Sequence, residues 1–237
     1  MLINKDLLKS NAASLRIELS DEALEKFDTL AELLIEQNKT MNLTAITEPD
    51  EVVIKHFADS ISLLSAVSPE ENAKILDLGT GAGFPGIPLL ITRPDIRLTM
   101  VDSTAKKLRY VADTVAKLGL EAEVLHARAE EAGKTHEYRE QYDIVCSRAV
   151  AALNVLSEYC LPFVKVGGTF VAMKSAKAEE EIAAAKKAIG ILGGKIVDKK
   201  TFTLSDGGER TLIIIKKISQ TSPKYPRVSA QISKKPL

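Results

Sequence analysis

Cysteine and histidine are scarce in this chain of 237 residues, which limits the kinds of site that it can build. The two cysteines, Cys146 and Cys160, are too few for a disulfide framework and lack the spacing of metal ligands. The three histidines stand apart from one another and form no zinc motif. We therefore expect both thiols to pack as small hydrophobic groups in a reducing cytoplasm.

Long apolar stretches and a net charge are also absent. No apolar run approaches the length of a membrane span, and residues 1–9 carry charges where a secretory signal needs an apolar core. The formal net charge is zero, yet residues 216–237 contain basic side chains and no acidic ones. These features predict a cytoplasmic protein without a membrane partner. Its basic end is either a phosphate-contacting element or a frayed, solvated terminus.

From residue 73 onward, β-type and helical patterns alternate, which favours a parallel sheet with helices on both faces. The strands are predicted near 74–78, 97–102, 121–126, 142–147, 168–174, 195–204 and 209–217. The helices are predicted near 86–92, 104–118, 151–161 and 177–192. The last two strands are joined by a short glycine-containing turn and read as a hairpin, so the final strand should run antiparallel.

The start of the chain is helical by its pattern. An amphipathic helix is predicted over 20–38 with Ser20 as its N-cap, and a second helix is predicted over 50–66. We accordingly expect three parts: an N-terminal helical extension over 1–68, a Rossmann-like α/β domain over 69–218 and a basic C-terminal tail over 219–237.

A glycine-rich turn follows the first predicted strand. Gly81, Gly83 and Gly86 match the dinucleotide-binding pattern G-x-G-x-x-G, but the match starts several residues after the strand. Asp77 lies at the end of the strand and is followed by Gly79, which gives the longer pattern D-x-G-x-G-x-G. This longer pattern resembles the first motif of S-adenosylmethionine (SAM) methyltransferases, in which the acidic residue anchors the turn or the methionine ammonium group.

Polar clusters follow the next three strands as well. Asp102 ends the second strand, where its carboxylate can bind both ribose hydroxyls of a nucleoside or can cap the following helix. Ala127–Glu130 and Ser147–Ala149 follow the third and fourth strands. Because the carboxyl ends of parallel strands share one edge of a sheet, we expect these clusters to form a single ligand site.

Several motifs, in order and spacing over nearly the whole chain, are similar to one bacterial family. They are residues 42–44 (Asn-Leu-Thr), 55–60 (Lys-His-Phe-Ala-Asp-Ser), 77–86 with its Phe-Pro-Gly extension, 143–149, 225–227 (Tyr-Pro-Arg) and 235–237 (Lys-Pro-Leu). The sequence resembles the small-subunit rRNA methyltransferase G family, also called glucose-inhibited division protein B. The resemblance implies a class I SAM-dependent methyltransferase that methylates N7 of one guanine in 16S rRNA.

The resemblance also implies the cofactor, its contacts and the partner. The residues implied to bind SAM are Asp77, Gly79, Gly81, Phe84, Asp102, Ala129, Glu130 and Arg148. The partner would be 16S rRNA in the small ribosomal subunit or an assembly intermediate of it, with the enzyme as a monomer. RNA would be held by Arg93, Arg97, Lys165, Lys174, Lys177 and the basic tail with Tyr225. Guanine N7 has a free lone pair at neutral pH, so we expect no side chain to act as acid, base or nucleophile.

Three alternatives remain open from the residues alone. A NAD(P)-dependent oxidoreductase could use the G-x-G-x-x-G match together with Asp102, although no catalytic Tyr-x-x-x-Lys is evident. A non-catalytic RNA-binding or ribosome-binding protein could retain a methyltransferase fold. A methyltransferase of small molecules or proteins would share the same fold.

Overall fold

A seven-stranded sheet forms the centre of the computed structural model, which describes residues 2–148, 151–174 and 178–237. The spatial order of its strands is β3-β2-β1-β4-β5-β7-β6. In chain order the strands are β1 (Lys74–Leu78), β2 (Arg97–Asp102), β3 (Glu123–His126), β4 (Tyr142–Arg148), β5 (Val164–Lys174), β6 (Gly194–Thr203) and β7 (Glu209–Lys217).

The first five strands are parallel, and β7 runs antiparallel to both β5 and β6. This confirms the predicted Rossmann-like α/β class with an antiparallel last strand. The strand order reverses at β1 and β4, where β2 lies on one side of β1 and β4 on the other. In open α/β sheets such a reversal leaves a crevice at the carboxyl ends of the strands, and ligands bind there.

Eleven α-helices are described, and they cover the sheet and its edges. They are α1 (Lys5–Ser14), α2 (Asp21–Met41), α3 (Pro49–Val52), α4 (Asp59–Ile61), α5 (Leu63–Ala66), α6 (Gly86–Thr92), α7 (Ala105–Lys117), α8 (Ala129–Ala132), α9 (Leu153–Cys160), α10 (Ala178–Ile191) and α11 (Ser229–Lys234). Ser20 caps α2 as predicted, since its hydroxyl accepts from the Ala23 amide. Residue 177, where a helix was predicted to begin, lies outside the described residues.

The segment predicted as one helix over 50–66 is interrupted by a π-helical turn, Val53–Ala58, between α3 and α4. A π-turn has a wider repeat than an α-helix, so it changes the direction of the side chains that follow, and such turns often occur at functional sites. Lys55 and His56 lie within this turn, and Asp59 follows it directly. The turn therefore brings polar side chains next to the ends of the strands.

The N-terminal helices share their core with one face of the sheet. Phe27 and Leu30 of α2 are fully buried in the same apolar cluster as Ile75 of β1 and Ile87 of α6. The rings of Phe27 and Phe57 have centroids 5.0 Å apart, which joins α2 to the π-turn. A second cluster, with Leu156 and Ile189, fills the opposite face beneath α9 and α10. No helix in the described part of the chain is long and apolar enough to cross a membrane.

The C-terminal segment is docked on the domain, which decides against the frayed, solvated terminus that was one of two alternatives for the basic end. Arg139 donates to the carbonyl oxygens of Thr221 at 2.6 Å and Tyr225 at 2.9 Å. Arg227 binds the buried carboxylate of Glu158 through Nε at 2.8 Å and a terminal nitrogen at 2.6 Å. Tyr225 is only 7% exposed. Tyr225 and Arg227 therefore face the protein interior, whereas the sequence analysis assigned this part of the tail to RNA.

Candidate cofactor and substrate site

Asp77 anchors the glycine turn from beneath. Its Oδ2 accepts from the Thr80 hydroxyl at 2.6 Å and from the Gly86 amide at 2.9 Å, and the side chain is fully buried. Burial raises the pKa of Asp77 to about 6, although the two hydrogen bonds oppose the shift. Its Oδ1 is buried without a hydrogen-bond partner among the described residues. The carboxylate thus joins the start of the turn to the start of α6.

Glycine is needed at two positions of this turn. Gly81 has φ of +60°, a conformation that side chains disfavour. At Gly86, an added Cβ would lie 2.8 Å from Met100 Sδ and 2.9 Å from Asp77 Oδ2. The turn therefore keeps its shape only because the backbone can pass this close to β2 and to the Asp77 carboxylate.

The Asp102 carboxylate accepts hydrogen bonds from backbone amides through both of its oxygens. Its Oδ1 accepts from the Thr104 amide at 2.8 Å, just before α7 begins. Its Oδ2 accepts from the Gly81 amide at 3.0 Å, which links the end of β2 to the glycine turn. Each carboxylate oxygen has a further lone pair, so the same group can still accept hydrogen bonds from a diol.

A cleft of about 290 Å³ opens over the ends of β1, β2 and β3. It brings together four of the predicted residues, Gly79, Asp102, Ala129 and Glu130, beside apolar walls that include Leu78 and Val101. An apolar slot with a carboxylate at its mouth fits an adenosine group, in which a flat base adjoins a ribose diol. The residues present therefore fit SAM in its nucleoside part.

Two further residues line this cleft, and the sequence analysis did not identify them. The hydroxyl groups of Tyr159 on α9 and Ser229 on α11 lie 3.0 Å apart at its wall. Ser229 reaches the cleft because the C-terminal segment is docked on the domain, in part through Arg227 and Glu158. No local pattern marks these positions, since they meet through contacts about 70 residues apart in sequence.

Phe84 and Arg148 lie outside this cleft, in contact with each other. The Phe84 ring stacks on the His56 ring with centroids 4.7 Å apart, and the Arg148 guanidinium carbon lies 5.3 Å from the Phe84 centroid. Phe84 is only 5% exposed. The structure thus packs Phe84 beneath polar side chains, whereas the sequence analysis expected Phe84 to bind SAM.

His56 is held as a neutral ring. Arg148 can only donate hydrogen bonds, so Nδ1 of His56 is the acceptor at 3.4 Å, and Nε2 donates to the Thr44 hydroxyl at 2.9 Å. Burial, together with the charge of Arg148, lowers the pKa of His56 to about 3. The imidazole therefore carries no charge at neutral pH and has both nitrogens engaged.

A second pocket, about 410 Å³, opens over the ends of β4 and β5, next to the first. At one wall, Asp59 binds two arginines: its Oδ2 accepts from Arg148 at 2.9 Å and its Oδ1 from Arg210 at 3.0 Å. At the other wall, Lys174 pairs with Glu181 at 2.7 Å. The pocket thus contains hydrogen-bond donors and acceptors, most of them held by neighbouring groups. We call it the β4–β5 pocket.

A larger cleft, about 900 Å³, lies at the opposite edge of the sheet, where the strands begin. We do not assign the function to it, because ligands of parallel sheets bind at the carboxyl ends of the strands. Arg97 lines this cleft, and Arg93 and Lys165 form ion pairs with Asp95 and Asp143 near the same edge. These three cations, expected to hold RNA, therefore lie away from the candidate site. Lys177 falls outside the described residues.

Both cysteines are fully buried free thiols, as predicted. Burial raises the pKa of each thiol well above its ordinary value, so neither is a thiolate at neutral pH. Among the residues that the structure describes, no group of three or more His, Cys, Asp or Glu side chains could hold a metal ion. Neither a thiol nucleophile nor a protein-bound metal is thus available at the candidate site from these residues.

A doubly wound sheet, an acidic glycine turn after β1 and a carboxylate at the end of β2 define a class I SAM-dependent methyltransferase. A solved SAM-dependent methyltransferase from Aquifex aeolicus shares this fold, with a TM-score of 0.53 and 17% identity over 73% of this chain and 96% of the other.

The sequence comparisons identify the family. Residues 23–213 match the family described as rRNA small subunit methyltransferase G. The chain is similar to ribosomal RNA small subunit methyltransferase G of Alkaliphilus metalliredigens, with 45% identity over 99% of each chain. It is also similar to the protein of the same name from Pelotomaculum thermopropionicum, with 46% identity over the full length of both. The chain belongs to this methyltransferase family, which decides against the oxidoreductase alternative.

Proposed function

We propose that this protein transfers a methyl group from SAM to N7 of a guanine in 16S rRNA of the small ribosomal subunit. The observation that carries the proposal is the full-length similarity to relatives named for small-subunit rRNA methylation, on a chain whose cleft over β1, β2 and β3 brings together four of the predicted cofactor residues. The adjoining β4–β5 pocket gives the acceptor base a place on the same edge of the sheet. We place the reaction in the cytoplasm, where ribosomal subunits and reduced thiols are found.

The cofactor cleft would hold SAM through its nucleoside. We assign Asp102 to the ribose hydroxyls, Gly79 to the close backbone contact, and Ala129 with Glu130 to the adenine end of the cleft. Asp77 acts indirectly, since it fixes the turn through Thr80 and Gly86. When bound, SAM supplies an electrophilic methyl group on a sulfonium ion. The chain's own task is to orient this group toward the end of β4.

The chemistry requires no proton transfer before attack, because guanine N7 carries a free lone pair. The described groups agree with this requirement: His56 is neutral with both nitrogens engaged, and the cysteine thiols stay protonated. Rate enhancement would then come from alignment of N7 with the methyl group and from exclusion of water. We therefore assign positioning roles, rather than acid or base roles, to the side chains around the acceptor.

RNA would be held by cations at the two clefts and on the C-terminal segment. Arg128 lines the cofactor cleft and is exposed, Arg210 lines the β4–β5 pocket, and Lys224 of the C-terminal segment is exposed over the Tyr225 ring. These positions replace Arg93, Arg97 and Lys165 as candidates for phosphate contacts. Each phosphate contact should add about −0.7 to −0.9 to the slope of log affinity against log salt concentration.

The proposal is tested by methyl transfer from radiolabelled SAM to small ribosomal subunits that lack the modification, with large subunits and protein-free 16S rRNA as parallel acceptors. We expect label in the 16S rRNA of the small subunit, and none in the large subunit. Binding of small subunits without transfer, in a preparation that binds SAM, would instead support a non-catalytic ribosome-binding role. Transfer only to a small molecule or only to a protein would show that rRNA is not the methyl acceptor.

A further inference from the structure

The β4–β5 pocket lies where an acceptor base must lie if SAM occupies the cleft over β1, β2 and β3. β1 and β4 are neighbours, so the two openings adjoin along one edge of the sheet. A volume of about 410 Å³ falls within the range of small-molecule sites, about 300–1,000 Å³. Enzymes that modify a base take it into such a pocket and read its Watson–Crick edge by hydrogen bonds.

Most charged groups of the pocket are already occupied by one another. Asp59 has a side chain only 7% exposed, and each of its oxygens accepts from an arginine, Arg148 or Arg210. Arg148 in turn donates to the Lys55 carbonyl oxygen at 3.1 Å. These groups form a rigid wall, and we therefore treat Asp59 as a positioning residue.

Lys174 and Glu181 form the other wall and differ in one respect. Oε2 of Glu181 accepts from the Leu153 amide at 2.7 Å and pairs with Lys174 Nζ at 2.7 Å. Its Oε1 has no partner among the described residues, and the side chain is 27% exposed. Lys174 has three N–H donors, and its contacts among the described residues, with Glu181 and the Ala151 carbonyl oxygen, leave one of the three without a described partner. The wall thus offers one acceptor beside one donor.

Guanine matches this pair and adenine does not. Guanine has an O6 acceptor next to N7 and an N2 amino donor beyond N1, whereas adenine has an amino donor in place of O6 and no amino group at C2. Resting on the function proposed above, we propose that the β4–β5 pocket receives the acceptor guanine, with Glu181 accepting from its N2 amino group and Lys174 donating to O6. A carboxylate here also favours the positive charge that appears on the ring as N7 is methylated.

The test uses inosine, which lacks only the N2 amino group. Small subunits are reconstituted from 16S rRNA carrying guanosine or inosine at the methylated position, once that position has been mapped by mass spectrometry of ribonuclease fragments. For the wild-type enzyme we expect kcat/KM to be about tenfold to a hundredfold lower on inosine, the loss of one hydrogen bond to a charged group.

The variants separate recognition from folding. Glu181→Ala should lower kcat/KM on guanosine by about the same tenfold to hundredfold factor and should change kcat/KM on inosine little. The ratio of kcat/KM on guanosine to kcat/KM on inosine should therefore fall close to one. Glu181→Gln keeps a carbonyl acceptor, also for the Leu153 amide, and should retain a ratio of about twofold to tenfold. Glu180→Ala, at an exposed neighbour on α10, should keep the wild-type ratio. SAM affinity, measured by calorimetry, should be unchanged in all three because none of these residues lines the cofactor cleft.

Two results would overturn the assignment. The first is equal loss of activity on both substrates in Glu181→Ala, with the wild-type ratio intact, which would give Glu181 a structural role only. The second is wild-type enzyme that methylates inosine as well as guanosine. Both are distinct from failure of the proposed function, in which the wild-type enzyme would form no 7-methylguanosine at all.

Discussion

Asp59→Asn should destabilise the protein through the two arginines that Asp59 holds. The carboxylate accepts from Arg148 at 2.9 Å and from Arg210 at 3.0 Å, and its side chain is 7% exposed. Breaking a buried charge pair costs about 3–5 kcal/mol. The arginine side chains are 14% and 23% exposed, so water replaces part of the loss. We therefore expect a decrease of about 3 kcal/mol in the free energy of unfolding, the low end of that range.

For a chain of this size, 1 kcal/mol shifts Tm by about 2–4 °C, so Asp59→Asn should lower Tm by about 6–12 °C in a thermal melt. SAM affinity should be retained, since Asp59 does not line the cofactor cleft, whereas methyl transfer should fall as Arg148 is released. Asp113→Asn, at an exposed position of α7, is the matched control and should shift Tm little. A drop in Tm below about 2 °C would refute the reasoning, because it would correspond to less than about 1 kcal/mol.

Three further predictions follow from the site. Asp102→Ala should raise the SAM dissociation constant about tenfold or more by calorimetry, and an unchanged constant would contradict its ribose role. Arg227→Met leaves the buried Glu158 carboxylate with the backbone amide of residue 227 but without its cationic partner, so it should lower both Tm and SAM affinity, because Ser229 lines the cleft two residues further on. The pKa of His56 falls from 6.5 in the unfolded chain to about 3 in the folded protein, so in acid the unfolded chain binds a proton that the folded protein does not. The contribution of neutral His56 to the free energy of unfolding is therefore present above pH 6.5 and is lost as the pH falls toward 3. The stability difference between wild type and His56→Gln should change by up to about 1.4 kcal/mol per pH unit in that window, and a flat difference in denaturant titrations would refute it.

Much of the sheet could be predicted because its strands are buried apolar runs with clear ends. The predicted limits of β1 and β2 equal the observed ones. The apolar run of β1 ends where the glycine turn begins, and that of β2 ends at Asp102. β5 begins at Val164, four residues before the predicted start at Gly168, and so includes Gly167 as well as Gly168. In the structure the strand continues through these glycines beside a register shift between Tyr142 and Ile144.

The π-turn could not be predicted, because one extra residue per turn barely alters an amphipathic pattern over six residues. Its effect on the site is large, since it sets the directions of His56 and Asp59. Phe84 was assigned to the cofactor from its motif alone, while its stacking on His56 depends on a contact 28 residues away in sequence.

The cleft-lining residues on the sheet edge were easier to predict than those on the C-terminal segment. Asp102, Ala129 and Glu130 follow strand ends, and strand ends can be read from the sequence. Ser229 reaches the cleft through Arg139, which binds carbonyl groups more than 80 residues away. Backbone carbonyl acceptors leave no trace in the sequence, so a basic tail looked like a solvated or RNA-binding element.

The central claim is methyl transfer to N7 of guanine in small-subunit rRNA, and the most direct measurement is the mass of the product nucleoside. Small subunits lacking the modification are incubated with the enzyme and with SAM carrying a deuterated methyl group, and the 16S rRNA is digested to nucleosides. The account predicts one trideuterated 7-methylguanosine in 16S rRNA. A deuterated methyl group on another base or another guanine atom, or none in 16S rRNA despite SAM binding, would contradict it.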